Sequence, residues 1–281
     1  MKKLPLVSVV VTTKNEEKNI GNCLRSIKRQ AYPIKKIEII VVDNSSVDKT
    51  VRIARRYTNK VFNYGPERSA QRNFGMMKKS KGKYLIFLDA DMTLSPKVIK
   101  KAVDELEGGN LAALYVPEVI LGNSFWSKVR RLERSFYDGT VIDCVRVVKR
   151  DIFKKVGGFD LSLTGPEDWD LDKKLRREGK VALLKNHQAL IFHNEKEFSL
   201  KKYLAKKSYY SKSFDAYIKK WGRNDPDVKK QFSFSYRFFG VFWEKGKWKR
   251  LIRHPVLAMG IYLLRFLVGL NYLSCRLRKI T

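Results

Sequence analysis

Residues 83–91 read KYLIFLDAD, and this stretch decides the fold class of the chain. Tyr84 to Leu88 are apolar or aromatic without a break, which predicts a strand that is buried on both faces, as in a parallel sheet covered by helices. Two carboxylates, Asp89 and Asp91, follow directly. Because ligands of open α/β sheets bind outside the carboxyl ends of the strands, we expect a ligand site beside these two residues.

The sequence around this stretch alternates short β-rich runs with helical patterns. The earlier strands are predicted at 8–13 and 36–43, and the earlier helices at 19–30 and 47–57. A third short strand at 60–64 and a helix at 69–80 precede the deciding stretch. This alternation predicts an α/β fold with a mostly parallel central sheet. Thr13 and Asp43 then lie at the same edge of the sheet as Asp89.

The second half of the chain changes character. Further strands are predicted at 112–120 and 141–149 on either side of a basic helix at 125–137, and the last strand ends at His193. Beyond His193 the pattern is helical. We therefore expect an α/β domain at residues 1–195 and a helical region at 196–281.

The charge distribution supports that division. The formal net charge is +31, and the last 86 residues, with 21 basic and 5 acidic side chains, carry +16 of it. The same region contains two apolar runs, 232–243 and 254–275. Basic and apolar residues together predict association with an anionic membrane surface. The three scattered cysteines favour a reducing compartment, so we expect the cytoplasmic face of the cell membrane.

The run 255–275 is long enough to span a bilayer. Arg265 stands near its middle, and such a charge costs about 2.5 to 3.5 kcal/mol on insertion scales. Lying in the interface is therefore the favoured interpretation, and a single C-terminal span or an ordinary buried helix are the alternatives.

Asp89-Ala90-Asp91 is a candidate site for a divalent cation, because Mg²⁺ and Mn²⁺ prefer carboxylate oxygens and keep positions open for phosphates. On these three residues alone, a strand-end turn with a helix-capping aspartate explains the pattern equally well.

Five motifs together are more specific than this one. TKNEE (13–17) and VDNSS (42–46) follow the first and second predicted strands. QRNFG (71–75) lies in the third predicted helix, DAD (89–91) ends the strand quoted above, and GPED (165–168) opens a late helix. In this order and spacing, over about residues 6–195, the chain resembles the family 2 inverting glycosyltransferases with the A-type, nucleotide-diphospho-sugar transferase fold.

The resemblance implies a nucleotide-sugar site made of Thr13, Glu16, Asp43, Arg72 and Asp89. By analogy, Asp43 bonds the base, Glu16 lies by the nucleoside, and Asp89 contacts the ribose or the water shell of the metal. Asp91 ligates Mn²⁺ or Mg²⁺ on the diphosphate. Arg72 lies near the same pocket, where a cation would stabilise the departing diphosphate.

The resemblance assigns the general base to Asp168 and an orienting role to its neighbour Glu167. Taken alone, two acids at a helix start are explained by the helix dipole. Some members of the family use a histidine at the position of His193 as a further metal ligand, although a lone strand-end histidine is as readily a structural hydrogen-bonding group. His187 and His254 have no comparable context.

Transfer of a single sugar is favoured over polymer synthesis, because no Gln-x-x-Arg-Trp motif follows the predicted base. The basic, apolar C-terminal region suggests a lipid-linked or phosphate-bearing acceptor, and Lys201, Lys202, Lys206 and Lys207 are candidates to contact it. A synthase of polyprenyl-phosphate sugars is the alternative within the same chemistry.

Three other interpretations compete. The charge would suit a nucleic-acid-binding protein, but the best-formed polar cluster is acidic and would repel a duplex. A nucleotidyltransferase normally needs a glycine-rich first turn, which TTKNEEKN (12–19) lacks. A non-catalytic membrane scaffold would not need the complete acidic set.

Overall fold

A computed structural model describes residues 3–185 and 188–277, so His187 and the last four residues of the predicted membrane-proximal region lie outside the described part. The β-strands are β1 (Val7–Thr13), β2 (Ile37–Asp43), β3 (Val61–Asn63), β4 (Tyr84–Asp89), β5 (Met92–Leu94), β6 (Leu111–Tyr115), β7 (Glu118–Leu121), β8 (Val145–Lys149), β9 (Lys180–Leu183) and β10 (Ile191–Asn194).

The helices surround these strands and fill the C-terminal third. The α-helices are α1 (Ile20–Lys28), α2 (Thr50–Ala54), α3 (Arg68–Asn73), α4 (Val98–Gly108), α5 (Phe125–Arg134), α6 (Arg150–Lys155), α7 (Glu167–Glu178), α8 (Leu200–Ser211), α9 (Phe214–Trp221), α10 (Pro226–Phe232), α11 (Val241–Trp243), α12 (Lys249–Arg253) and α13 (Pro255–Leu277). Two π-helical segments, Phe74–Lys79 and Tyr236–Gly240, continue or precede α-helices.

The main sheet has seven strands in the order β3-β2-β1-β4-β8-β6-β9. β1 runs parallel to β2 and β4, whereas β8 runs antiparallel to β4 and β6. A second sheet has the order β5-β10-β7. The predicted α/β class with a mostly parallel central sheet is confirmed.

The main sheet is covered on both faces. Successive residues of β1 point to opposite sides, so Val9 and Val11 join one buried apolar cluster and Val10 joins the other. Every residue of β1 and β2 is buried. The burial on both faces that was expected for Tyr84 to Leu88 is also found.

Several predicted elements differ in extent. The strand expected at 112–120 is interrupted at Val116 and Pro117, which separate β6 from β7. The strand expected from 141 begins only at Val145, and β5 was not predicted. The helix expected at 69–80 is α3 followed by the π-helical segment Phe74–Lys79.

The chain is organised into two compact units. Unit 1 comprises residues 1–118, 144–161 and 167–194 and contains the seven-stranded sheet. Unit 2 comprises 119–143, 162–166 and 195–281, and it includes α5 and α8 to α13. In unit 2, the stretch Pro255–Ser274 is long and apolar enough to cross a membrane, judged by length and composition alone. The functional division at residue 195 stays a prediction.

Candidate active site

The carboxyl ends of three neighbouring strands bring the predicted polar residues to one edge of the main sheet. The strand register places Thr13 beside Asp43 and Thr12 beside Asp89. The Thr12 hydroxyl donates a hydrogen bond to Asp89 Oδ1 over 3.1 Å. This edge is the one at which α/β sheets bind ligands.

Asp43 is buried and anchors the loop that follows β2. Its carboxylate accepts hydrogen bonds from the amide of Ser46 (2.7 Å) and from the Ser46 hydroxyl (2.5 Å). The amide of Asn15 in turn donates to the Ser46 hydroxyl over 2.7 Å, which links the loops after β1 and β2. Because a carboxylate has about four acceptor sites, Asp43 keeps capacity for a ligand.

Glu16 and Thr13 lie in the loop region after β1. Glu16 accepts a 2.7 Å hydrogen bond from the side-chain amide of Asn19. The Thr13 carbonyl accepts from Gln71 Nε2 over 3.0 Å, and the Thr13 hydroxyl is buried without a hydrogen-bond partner. A buried unsatisfied hydroxyl is costly in a folded protein, so this group is suited to contact a ligand.

Arg72 is the centre of a buried charge cluster. Its guanidinium is 1% exposed. It donates from Nη1 to Asp168 Oδ1 and from Nη2 to Asp89 Oδ1, each at a distance of 2.9 Å. The group also contacts the rings of Phe87 and Phe159, with its Cζ 4.9 and 5.2 Å from the ring centres. One arginine therefore fixes two carboxylates that the sequence assigned to different roles.

Arg68 lies one helical turn before Arg72 and belongs to the same cluster. Its Nη2 donates to Glu167 Oε1 over 3.1 Å, and its Nη1 lies 3.7 Å from Asp89 Oδ2. Sequence reasoning missed Arg68. The available signal was the spacing of four residues from Arg72, which places both side chains on one helix face.

The two acids at the start of α7 have different surroundings. The side chain of Glu167 is 1% exposed and that of Asp168 is 22% exposed. Burial and the neighbouring charge of Asp168 raise the pKa of Glu167, despite the opposing charges of the arginines. The less buried Asp168 is the better placed of the two to meet a molecule that arrives from solvent.

Asp89 has the opposite tendency. Burial alone would raise its pKa, but the charges of Arg72 and Arg68 hold the pKa of this carboxyl well below its usual value. The arginines therefore favour the ionised form of Asp89, which is suited to accept hydrogen bonds or to pair with a cation.

Asp91 and His193 form a second polar group. His193 Nε2 lies 3.1 Å from Asp91 Oδ2, and His193 Nδ1 lies 2.9 Å from Glu118 Oε1. Burial disfavours a charged imidazole, but the hydrogen bonds and charges of Asp91 and Glu118 outweigh it and raise the pKa of His193 to about 10. Glu118 is the other residue that sequence reasoning missed.

We tested whether these residues fit a divalent cation. Asp91 Oδ1 is buried and has no hydrogen-bond partner, which leaves one carboxylate oxygen available as a ligand. Within residues 3–185 and 188–277, no group of three or more His, Cys, Asp or Glu side chains is placed to hold a metal. Asp91 therefore offers a cation one free oxygen, and His193 could add a nitrogen ligand only after losing the proton that it holds against Asp91. The remaining ligands would come from substrate oxygens and water.

A family model and curated relatives both match this sequence to glycosyltransferases. The model described as glycosyl transferase family 2 matches residues 8–157. Glycosyltransferase AglE of Haloferax volcanii is 30% identical over 211 residues, which cover 69% of each protein. An uncharacterized glycosyltransferase of Rickettsia typhi is 29% identical over 206 residues, which cover 66% of this chain and 63% of that protein.

Two solved structures share the fold. The mannosyltransferase PcManGT from Pyrobaculum calidifontis, in complex with GDP-Man and Mn²⁺, has a TM-score of 0.64 and 20% identity, and the match covers 99% of this chain and 87% of PcManGT. TarS of Staphylococcus aureus has a TM-score of 0.58 and 17% identity, and the match covers 96% of this chain and 54% of TarS. Both structures have the A-type architecture that the five motifs suggested.

Proposed function

This chain belongs to glycosyl transferase family 2, and from that premise we propose that it transfers a single sugar, with inversion, from a UDP- or GDP-sugar to an acceptor hydroxyl or phosphate. The observation that carries the proposal is the cluster in which Arg72 joins Asp89 to Asp168. It connects a carboxylate at the donor edge of the sheet with a carboxylate that can serve as a base.

The donor side of the reaction uses the residues at the carboxyl edge of the sheet. Asp43 would accept hydrogen bonds from the nucleotide base, and Glu16 and Thr13 would lie beside the nucleoside. Asp89, held as an anion, would contact the ribose. The neighbour PcManGT was solved with GDP-Man and a TarS structure with UDP-GlcNAc, so both nucleotide classes are candidates.

A divalent cation, Mn²⁺ or Mg²⁺, would be held by Asp91 and His193 and would neutralise charge on the departing diphosphate. Glu118 fixes the other imidazole nitrogen and so orients His193 toward Asp91. Hydrogen bonding of this kind keeps a ligating histidine in one tautomer and one ring orientation.

The acceptor side of the reaction uses α7. Asp168 would remove the proton of the acceptor hydroxyl, whose oxygen then forms a bond to the anomeric carbon as the bond from that carbon to the diphosphate breaks. Where the acceptor is a phosphate, its oxygen is already anionic and attacks directly. Arg72 holds the Asp168 carboxylate in place, and Glu167 would orient the acceptor.

We further propose that the acceptor is lipid-linked and that the enzyme works at the cytoplasmic face of the membrane. The basic C-terminal region and the apolar helix α13 support this location. Lysines on α8, among them Lys202 and Lys206, would contact an acceptor phosphate or lipid headgroups.

The first test is thermal stabilisation by UDP, GDP and their sugars, each with and without Mn²⁺, because a ligand that binds the native state raises its melting temperature. We expect a metal-dependent shift with one nucleotide class. The absence of any shift with a folded sample would contradict the donor site.

A second test separates binding from chemistry. Asp168→Asn should keep the thermal shift with the donor and lose transfer by roughly 10² to 10⁴-fold, which is the usual contribution of a general base. Asp170→Asn, two residues further along α7, is unsuitable as a control because Asp170 is fully buried. Asp151→Asn, at the exposed start of α6, is the control, and equal turnover in Asp168→Asn and Asp151→Asn would remove Asp168 as the base.

A further inference from the structure

The polar residues that interrupt the apolar sequence of α13 have partners within unit 2. Arg265 Nε donates to Glu133 Oε1 of α5 over 2.9 Å, and the Arg265 side chain is 7% exposed. Asn271 Nδ2 donates to the carbonyl of Leu204 in α8 over 2.9 Å. The polar side of this helix therefore faces protein.

The outward side of α13 is apolar. Six large side chains on it are 48 to 70% exposed, at spacings of three or four residues: Val256, Met259, Leu263, Phe266, Leu270 and Leu273. At 3.6 residues per turn they occupy an arc of about 100°. We call these six residues the apolar stripe. A soluble helix normally has the reverse arrangement, with its apolar stripe toward the core.

Aromatic residues before α13 extend the stripe. Tyr262 of α13 lies 6.3 Å, ring centre to ring centre, from Phe239, which is 52% exposed. Phe239 in turn lies 6.4 Å from Phe234, which is 66% exposed. Unit 2 thus carries a continuous group of exposed apolar side chains, larger than the single exposed residues that are normal on protein surfaces.

The charges beside the stripe indicate which partner covers it. No Asp or Glu follows Glu244 in the sequence, and α12, which leads into α13, exposes Lys249, Arg250 and Arg253. A second copy of the chain would bring the same cations, and the same net charge of +31, against this surface. An anionic bilayer offers hydrocarbon for the stripe and negative headgroups for the cations.

We propose that α13 lies in the plane of an anionic membrane, with the apolar stripe in the acyl chain boundary and α12 at the headgroups, and that it does not cross the bilayer. A crossing helix would have to detach Arg265 from Glu133 or carry the charged pair into hydrocarbon. The interfacial position keeps the hydrogen bond of Arg265 to Glu133 and that of Asn271 to Leu204. The membrane contact goes beyond the proposed function. It rests on that function only in placing the acceptor at the same membrane.

The test is flotation of the full chain with vesicles of phosphatidylcholine and phosphatidylglycerol, compared with phosphatidylcholine alone. We expect binding to the anionic vesicles and release by alkaline carbonate. The double variant Met259→Asp, Phe266→Asp should lower partitioning at least about tenfold, because two exposed apolar groups no longer enter the acyl region. Leu161→Asp, at a 61% exposed leucine of unit 1, is the matched control and should bind as the wild type does.

Three results would overturn the proposal. Resistance to carbonate extraction would show that α13 spans the bilayer. Equal binding by the double variant and the wild type would show that the stripe is not the contact. Self-association that the double variant abolishes, without vesicle binding by the wild type, would assign the stripe to a second copy. Melting curves with the nucleotide panel, recorded on every variant, check folding and test the donor site independently of the membrane contact.

Discussion

At the scale of single residues, Arg72 explains how the candidate site is held together. A buried guanidinium is costly unless it is paired, and here two carboxylates and two aromatic faces surround it. Its planar fork reaches Asp89 and Asp168 at once, which the single ammonium of a lysine cannot do with the same geometry.

Arg72→Lys should therefore keep the charge and lose the alignment. We expect kcat to fall by roughly 10²-fold, the cost of a misplacement of about 1 Å at a reacting group, with a smaller change in the donor KM. Steady-state kinetics with the donor identified by thermal shift would measure this. Arg176→Lys is the control, because Arg176 lies in the last turn of α7, pairs with Asp172 and is 35% exposed. An unchanged kcat in Arg72→Lys would contradict the positioning role.

Glu118 gives a second prediction at this scale. Glu118→Gln removes the charge that orients His193 and leaves both proposed metal ligands in place. The Mn²⁺ affinity should therefore fall by about 10 to 100-fold. Titration calorimetry with Mn²⁺ in the presence of the nucleotide would measure the change. His254→Ala, at an exposed histidine of unit 2, should leave the affinity unaltered. If Glu118→Gln binds Mn²⁺ as tightly as the wild type, Glu118 does not position a metal ligand.

The sequence identified most residues of the site, Arg72 among them, but neither Arg68 nor Glu118. Asp43, Asp89 and Asp91 stand at strand ends, where a motif and a position in the fold agree. Arg68 and Glu118 lie outside the five motifs. Apart from the spacing of Arg68 from Arg72, nothing marked them, because a charged residue on a helix or a strand is usually a solvated one. Arg68 meets its partner Glu167 across 99 residues of sequence, a contact that only the folded chain reveals.

At the scale of elements, long periodic segments were predictable and short paired ones were not. β4 is marked by its own apolar run, whereas β5 has three residues and pairs with β10, whose partner residues are about 100 positions away. Residues 141–144 have the composition of a strand but lie outside β8. Pro117 lacks the amide hydrogen that a strand ladder needs, which explains why one predicted strand became β6 and β7.

The segment that follows α3 packs on β1 and β2, and this packing leads to a prediction about stability. A Cβ on Gly75 would collide with the Cγ1 methyl of Val10. Gly75→Ala should therefore destabilise the protein by about 1 to 3 kcal/mol, as overpacking of a core does. Urea unfolding would measure it. Gly108→Ala is the control, because nothing lies within 4 Å of a Cβ at that helical position. Equal stability of the two variants would contradict the close approach.

The contact between α5 and α13 predicts a dependence of stability on pH. Glu133 is buried, which alone would raise its pKa, but Arg265 and Arg130 lower the pKa far below the usual 4.5. A carboxyl with a depressed folded-state pKa contributes stability above its unfolded pKa, and that contribution is lost as the pH falls below about 4.5. Glu133→Gln leaves Arg265 without its anion and should cost roughly 3 to 5 kcal/mol near neutral pH.

Urea unfolding of the wild type and Glu133→Gln at neutral pH and near pH 4 would test this linkage. The difference between the two proteins should shrink as the pH falls, because the unfolded wild-type chain takes up a proton at Glu133 that the folded chain does not bind. Glu105→Gln, at a half-buried carboxylate of α4, is the control for removal of a carboxylate outside this contact. A difference that stays constant with pH would show that Glu133 is not stabilised as an anion.

At the scale of the whole molecule, the net charge of +31 and the buried acidic site respond differently to salt. Exposed charges are screened over about 10 Å at 0.1 M salt, so contacts of the exposed lysines and arginines with any polyanion weaken as salt rises. The cluster around Arg72 is 1% exposed at its centre and is screened far less. A salt titration should therefore weaken surface association and leave donor binding largely unchanged.

We expect random duplex DNA to bind at low salt only and to be released at physiological salt, with the steep logarithmic dependence of counterion release. Anionic vesicles should release the protein only in part, because burial of the apolar stripe does not depend on charge. The thermal shift with the nucleotide and Mn²⁺ should persist throughout. DNA binding that survives physiological salt would revive a nucleic-acid function. A nucleotide shift that disappears in parallel with DNA binding would mean that surface cations, and not the cluster of Arg72, Asp89 and Asp168, hold the nucleotide.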